Sequence, residues 1–156
     1  YTTLFRSTGP KVEFVGKSAK YILHHIGIEV EDTKKLIIME VANNHPFVQN
    51  EMLMPILPLV RCDNVDQAIE WAYKAEHGNR HSAMMHSTNI AKLSKMAKLM
   101  ETTIFVKNGP SYAGLGIGGQ GYPTFTIAGP TGEGLTSPKS FCRLRECVLK
   151  DMFNIR

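Results

Sequence analysis

Hydrophobic positions along the chain fall into short helical and strand periods separated by clear stop signals. From Lys17 the run "KSAKYILHHIG" places Tyr21, Ile22, Leu23 and Ile26 at helical spacing and halts at Gly27, which predicts a short helix. "KLIIMEV" (35–41) carries Leu36, Ile37 and Ile38 in an unbroken apolar run and predicts a buried strand. "MPILPLVRC" (54–62) predicts a second, with its prolines near the start, where a missing amide costs least. In "DNVDQAIEWAYKAEH" (63–77) the capping residues Asp63 and Asn64 precede Val65, Ala68, Ile69 and Ala72 on one face, and Gly78 stops the helix. "RHSAMMH" (80–86) reads as a strand. "STNIAKLSKMAKLMET" (87–102) reads as a helix starting at Ser87 to Asn89, with Ile90, Leu93, Ala97 and Met100 inward, and "TTIFVK" (102–107) as a strand. From residue 54 the order is strand, helix, strand, helix, strand, the pattern of right-handed parallel crossovers in an α/β fold with a covered sheet. "SFCRLRECVLK" (140–150) alternates Phe141, Arg143, Arg145 and Cys147 against Cys142, Leu144 and Val148, as a two-faced strand would, and is suited to completing a sheet in a neighbouring subunit.

Composition narrows the picture without redirecting it. At 156 residues the chain suits one domain, enough to bury roughly 70% of the surface its unfolded form exposes. The net charge of +4 comes from eighteen basic residues scattered among fourteen acidic ones, with no basic run, so nucleic acid is not an expected partner. No apolar stretch approaches the roughly 18 residues of a membrane span, and no signal-peptide pattern opens the chain, which reads as soluble and intracellular. Cys62, Cys142 and Cys147 lack metal-ligand spacing and read as reduced thiols. His77 and His81 are four apart with His86 beyond, but Gly78 and Asn79 interrupt any helix that would align the first two, so no metal site is expected. His24 and His25 ride the first helix and receive no role.

Between Gly114 and Gly134, "GLGIGGQGYPTFTIAGPTGEG" holds eight of the thirteen glycines and contains Gly-x-Gly-x-x-Gly twice. A dinucleotide-phosphate loop of that pattern must follow a strand and open a helix. Here a strand precedes, but Pro123, Thr124, Thr126, Ile127 and Pro130 follow, and no helix tolerates that sequence. The expectation is a long surface loop folded on itself, in which glycine permits close backbone approach, beside a binding site.

Four long stretches carry a resemblance: "NHPFVQNEMLMPILPLVRCDNVDQAIEWA" (44–72), "HSAMMHS" (81–87), "TIFVKNGPSYAGLGIGGQGYPTFTIAGPTGEG" (103–134) and the tail "FCRLRECVLKDMFNIR". In this order and spacing the chain resembles the C-terminal part of CoA-acylating aldehyde dehydrogenases, most of all the ethanolamine- and propanediol-utilisation type. The resemblance covers almost everything after about Lys11 and implies the parallel-sheet, three-layer α/β catalytic domain of that superfamily, with a terminal oligomerisation strand. It also implies the reaction: an aldehyde, CoA and NAD become an acyl-CoA and NADH through a cysteine thioester. A thiolate suits that chemistry because sulfur attacks the carbonyl readily and then leaves to another thiol. In the family that cysteine lies upstream of the region matched here, so no catalytic residue is expected in this chain and none of its three cysteines is assigned as nucleophile.

The resemblance also implies binding residues. Glu51 matches the glutamate that hydrogen-bonds the nicotinamide ribose, a task a carboxylate performs by accepting from both hydroxyls. Leu53 follows at the same cofactor site, although Leu53 and Met54 stand where many relatives carry Phe and Gly. Asn108, Ser111 and Tyr112 fall in the loop that lines the aldehyde entrance, and His81 matches a position where acylating relatives tend to carry histidine. Gln120 and Glu146 depart from the expected glutamate and arginine. Expected partners are a small aldehyde and CoA, a second copy through the terminal strand, and a microcompartment shell, with the bacterial cytoplasm or the microcompartment lumen as location; neither nucleic acid nor membrane is expected. Residues 1–7, "YTTLFRS", resemble the translated end of a sequencing-adapter oligonucleotide, which predicts a reading frame cut upstream. Residues 8–139 are then partial catalytic domain and 140–156 the oligomerisation strand and tail. The other readings are a non-catalytic oligomerising or binding fragment, and the aldehyde half of a bifunctional aldehyde-alcohol dehydrogenase.

Overall fold

The computed structural model describes residues 5–6, 9–124, 127–128, 134–148 and 150, and the chain divides into two compact units, Tyr1–His77 and Gly78–Arg156. In the first, β1 (Phe5–Arg6) pairs antiparallel with β2 (Gly9–Pro10), ahead of a 3-10 turn at Val12–Phe14. Then come α1 (Ala19–His24), β3 (Ile37–Glu40), α2 (Pro46–Gln49), β4 (Ile56–Leu59) and α3 (Val65–Ala75). β3 and β4 run parallel with Ile37 opposite Ile56 and Glu40 opposite Leu59. Their inner face meets Phe14, Ile22, Phe47 and Met52. Phe14 and Ile22 are almost wholly buried, each contributing about 1.5–3 kcal/mol by leaving water.

Caps explain the helix starts. Ser18 Oγ accepts from the Tyr21 amide at 3.2 Å, and Asn64 Oδ1 from the Gln67 amide at 3.0 Å. His45 caps α2 in the same way, its Nδ1 accepting from the Phe47 amide at 3.0 Å. α3 ends where His77 and Gly78 both take left-handed φ, 55° and 76°.

The second unit contains β5 (Ser82–Met85), α4 (Ile90–Met100), β6 (Ile104–Lys107), a 3-10 turn at Ser111–Gly114, and the short antiparallel pair β7 (Ile127–Ala128) and β8 (Gly134–Leu135). β5 and β6 are parallel, Ser82 opposite Ile104, with α4 as their crossover. Asn89 caps α4 by accepting from the Lys92 amide at 3.0 Å, and Leu93, Met96 and Met100 are buried with Ala83 and Ile104. The fold is α/β with parallel strand pairs; of the two crossovers the patterning predicts from residue 54, α4 between β5 and β6 forms, whereas among the described residues β4 pairs with β3.

Three local expectations are corrected. The 35–41 strand forms but is not buried on both faces: Leu36 and Ile38 are exposed, beside exposed Leu57 and Leu59 of β4, because among the described residues nothing covers that side. Ile90 is 74% exposed; it is the first residue of α4, and the buried stripe begins one turn later at Leu93. Residues 142–148 form no strand within the chain: Pro138–Phe141 is a 3-10 turn, and among the described residues the segment beyond it has no strand partner, leaving Phe141, Leu144 and Val148 exposed. Among the described residues no helix is long and apolar enough to cross a membrane.

Candidate functional site

In the second unit the candidate site lies at the carboxyl ends of β5 and β6, where open α/β sheets place their ligands. β6 ends at Lys107, and Asn108 turns the chain with a left-handed φ of 56°. Its side chain then clamps the end of the neighbouring strand: Oδ1 accepts from the Ser87 amide at 2.7 Å and Nδ2 donates to the Ser87 carbonyl at 3.0 Å, while the Asn108 amide donates to the Met85 carbonyl at 2.9 Å. An amide is the side chain that satisfies both backbone groups at once. The 3-10 turn packs on both strands, and the chain closes on itself through a bridge between Leu115 and Gly121.

Close approach accounts for the glycines of this loop. A Cβ at Gly121 would fall within 3.0 Å of the Gly114 carbonyl oxygen, and one at Gly119 within 3.0 Å of that of Ala113. Among the described residues no α-helix follows, so the loop lacks the feature a pyrophosphate site needs. It frames instead a cavity of about 530 Å³, lined by Phe105, Lys107, Asn108, Tyr112, Ile117 and Gln120 together with the glycines.

The structure brings Asn108 and Tyr112 to this cavity, with Tyr112 half-exposed. Ser111 opens the 3-10 turn and is exposed but does not line the cavity, and neither does His81, at the start of β5, whose Nδ1 lies 2.8 Å from Ser82 Oγ. Lys107 and Ile117 were not singled out by sequence, although their position in the same loop was the available signal. The double clamp from Asn108 to Ser87 spans 21 residues and has no signature in the sequence.

The first unit carries the other two candidates. Met52 is buried, so its neighbours Glu51 and Leu53 both stand out to solvent. Leu53 adopts φ 50° and its carbonyl accepts from the Gly16 amide at 2.9 Å. With Val15–Ala19, Lys35, Met54 and Pro55 it lines an open hollow of about 770 Å³. Glu51 makes no hydrogen bond or ion pair among the described residues, so its carboxylate is available to a ligand's hydroxyls. Among the described residues no His, Cys, Asp and Glu side chains gather as a metal site. Cys142 Sγ donates to the Pro138 carbonyl at 3.3 Å, Cys147 is exposed, and Cys62 is half-buried; none is hydrogen-bonded to a basic group among the described residues.

Parallel strands joined by a crossover helix, with a self-packed loop framing a cavity at their carboxyl ends, define an α/β domain of the kind that binds ligands at that end of its sheet. Comparison with known proteins gives the family. The aldehyde dehydrogenase family profile matches residues 33–122, and the chain belongs to that family. It is 51% identical over 143 residues to the acetaldehyde dehydrogenase (acetylating) EutE of Salmonella typhimurium, covering 92% of this chain and 31% of the relative. Two solved structures superpose with TM-scores of 0.87 at 62% identity, each match covering 95% of this chain and 34% of the other. One is a Rhodopseudomonas palustris propionaldehyde dehydrogenase with bound CoA and an acylated cysteine; the other is an engineered glycolyl-CoA reductase with bound NADP+. The chain thus spans about a third of the length of these relatives.

Proposed function

We propose that this chain is the C-terminal part of a CoA-acylating aldehyde dehydrogenase that converts a short-chain aldehyde, CoA and NAD to an acyl-CoA and NADH. The observation that carries the reading is the loop after β6, packed on two parallel strands so that its wall faces an open cavity, in a chain with 62% identity to a CoA-bound relative. The nucleophilic cysteine is then supplied from outside these residues, in keeping with Cys62, Cys142 and Cys147 making no hydrogen bond to a basic side chain among the described residues.

In the reaction a thiolate adds to the aldehyde carbon, a hydride leaves that carbon to produce a thioester, and the CoA thiol displaces the cysteine. The dinucleotide, when bound, supplies the hydride acceptor. The residues of this chain bind and orient. Glu51 fits the nicotinamide ribose because its carboxylate is exposed and unpartnered. Leu53 beside it forms part of the cofactor site. Tyr112 walls the aldehyde entrance and Asn108 fixes the turn that carries Tyr112; Ser111, which opens the same turn, and His81, which directly precedes β5, join the proposal on the resemblance alone. NAD is the proposed cofactor, with NADP the alternative that the bound NADP+ of the engineered relative raises.

Self-association through residues 140–150 belongs to the same proposal, since Phe141, Leu144 and Val148 are exposed apolar side chains without a ladder among the described residues. So does residence in the bacterial cytoplasm or a microcompartment lumen, the setting of the ethanolamine- and propanediol-utilisation branch that the motifs resemble. The test is to express the longer reading frame that contains these residues and supply propionaldehyde or acetaldehyde with CoA and either dinucleotide. CoA-dependent acyl-CoA formation, with the 156-residue chain inactive alone, is the expected result. Thiol-dependent NADH formation by the isolated chain, or none by the longer protein, refutes the reading.

A further inference from the structure

We infer that His77 is a positioning residue for the Glu51 loop, holding the backbone just before Glu51 so that its carboxylate is presented to the ribose of a nicotinamide dinucleotide. The inference rests on the function proposed above. Sequence drew attention to His77 only as a possible metal ligand. In the structure its Nε2 lies 3.1 Å from the carbonyl oxygen of Gln49, 28 residues away, and a carbonyl can only accept, so Nε2 carries the proton.

The need for that donor follows from the length of α2. A four-residue helix cannot satisfy its last carbonyls internally. The Pro46 carbonyl receives the Asn50 amide at 3.0 Å and the Asn50 side chain at 2.9 Å, whereas the Gln49 carbonyl receives His77. Gln49 is further tied by its own side chain, which donates to the Asn43 carbonyl at 2.7 Å. On the far side of Glu51 the chain is held by buried Met52 and by the bond from the Gly16 amide to the Leu53 carbonyl. Glu51 therefore stands between two backbone ties with its side chain unpartnered, and His77 makes the tie on the N-terminal side. His77 is itself fixed at the end of α3, with a left-handed φ of 55° and its amide 3.3 Å from the Lys74 carbonyl.

The test compares His77→Ala, His77→Gln and Glu51→Gln in the dehydrogenase, with hydrogen exchange over residues 48–54 read in the same proteins. H77A is expected to raise the dinucleotide KM about two- to five-fold, the effect of losing one solvent-exposed hydrogen bond, with the aldehyde KM unchanged and the 48–54 amides exchanging faster. H77Q carries an amide N–H at the reach of Nε2 and is expected to restore both readouts. H77A added to E51Q is expected to raise the dinucleotide KM no further. An unchanged dinucleotide KM in H77A where E51Q raises it, or equal exchange in H77A and the parent, overturns the inference. If E51Q leaves the dinucleotide KM unchanged, the ribose assignment of Glu51 falls and the dinucleotide half of the inference with it, while faster exchange in H77A, rescued by H77Q, still establishes the tie.

Discussion

The sharpest expectation concerns two glycines three residues apart in the loop after β6. Gly118 has φ 72° and open space where a Cβ would point; Gly121 has φ 153° and a Cβ position already taken by the Gly114 carbonyl, with the Gly116 amide 3.2 Å away. Gly118→Ala therefore meets only the left-handed penalty, about 1–2 kcal/mol. Gly121→Ala meets a φ that is nearly exclusive to glycine and a clash with backbone, which cannot rotate aside as a side chain would. Strain of the first kind is worth about 1–3 kcal/mol, and overpacking adds about 1–3 more. At the midpoints of these ranges Gly121→Ala costs about 2.5 kcal/mol more than Gly118→Ala, unless the Leu115 to Gly121 bridge opens. Urea unfolding read by circular dichroism, at a dilution where light scattering shows the chain unaggregated, gives the comparison, provided the slope of free energy against urea is equal in both variants. Hydrogen exchange over 114–121 distinguishes global loss from local opening. Equal destabilisation of the two variants, with equal loop exchange, refutes the claim that Gly121 is required by backbone contact.

Acidification should weaken the first unit through His45. Burial lowers its pKa below the ordinary histidine value, and protonation would also remove the Nδ1 lone pair that caps α2. The unfolded chain then binds more protons than the folded one just below about pH 6.5, so stability is full above that value and declines as pH falls through it toward the folded-state pKa. Urea midpoints measured down this range should fall, and His45→Asn, which keeps an N-cap acceptor that does not titrate, should lose that component of the slope. Solubility is the other expectation: Ile38 and Leu57 are register partners on the uncovered face of the β3–β4 pair, 62% and 50% exposed. Isolated chain should aggregate, and I38K/L57K should lower its light scattering while changing stability by no more than about 0.5 kcal/mol per site. A large loss of stability in that variant would show that the face is covered.

What sequence could and could not reveal divides along the range of the interaction. Asn64 and Asn89 cap their helices as their positions predict, since a cap is decided within four residues. The parallel pairing of β5 with β6 follows from the strand, helix, strand order, because a crossover helix permits little else. The apolar run at 36–38 reported hydrophobicity correctly and burial wrongly: a pattern says that a face needs covering, not which residues cover it. Alternation in the tail is legible for the same reason, although among the described residues it finds no ladder. Ties such as Asn108 to Ser87 and His77 to Gln49 join residues 21 and 28 positions apart. They are consequences of topology, invisible until the strands are in register.

The glycine-rich loop shows how one motif is decided by what surrounds it. Gly-x-Gly-x-x-Gly binds a pyrophosphate when its third glycine opens a helix whose amides face the ligand. After β6 the same residues bend back through a 3-10 turn, and the chain crosses itself so tightly that Gly114, Gly119 and Gly121 lie against Ile104, the Ala113 carbonyl and the Gly114 carbonyl respectively. The absent Cβ atoms thus set how near the loop sits to the strand, and with it where Tyr112 and Ile117 stand around the cavity. A larger residue at Gly114 has to push the wall away from β6, and one at Gly119 or Gly121 has to open the loop's own crossing. Catalysis in the proposed enzyme should accordingly be more sensitive to these glycines, which touch no substrate, than to exposed Ser111, and a Ser111→Ala enzyme that fails where Gly119→Ala works would reverse that order of importance.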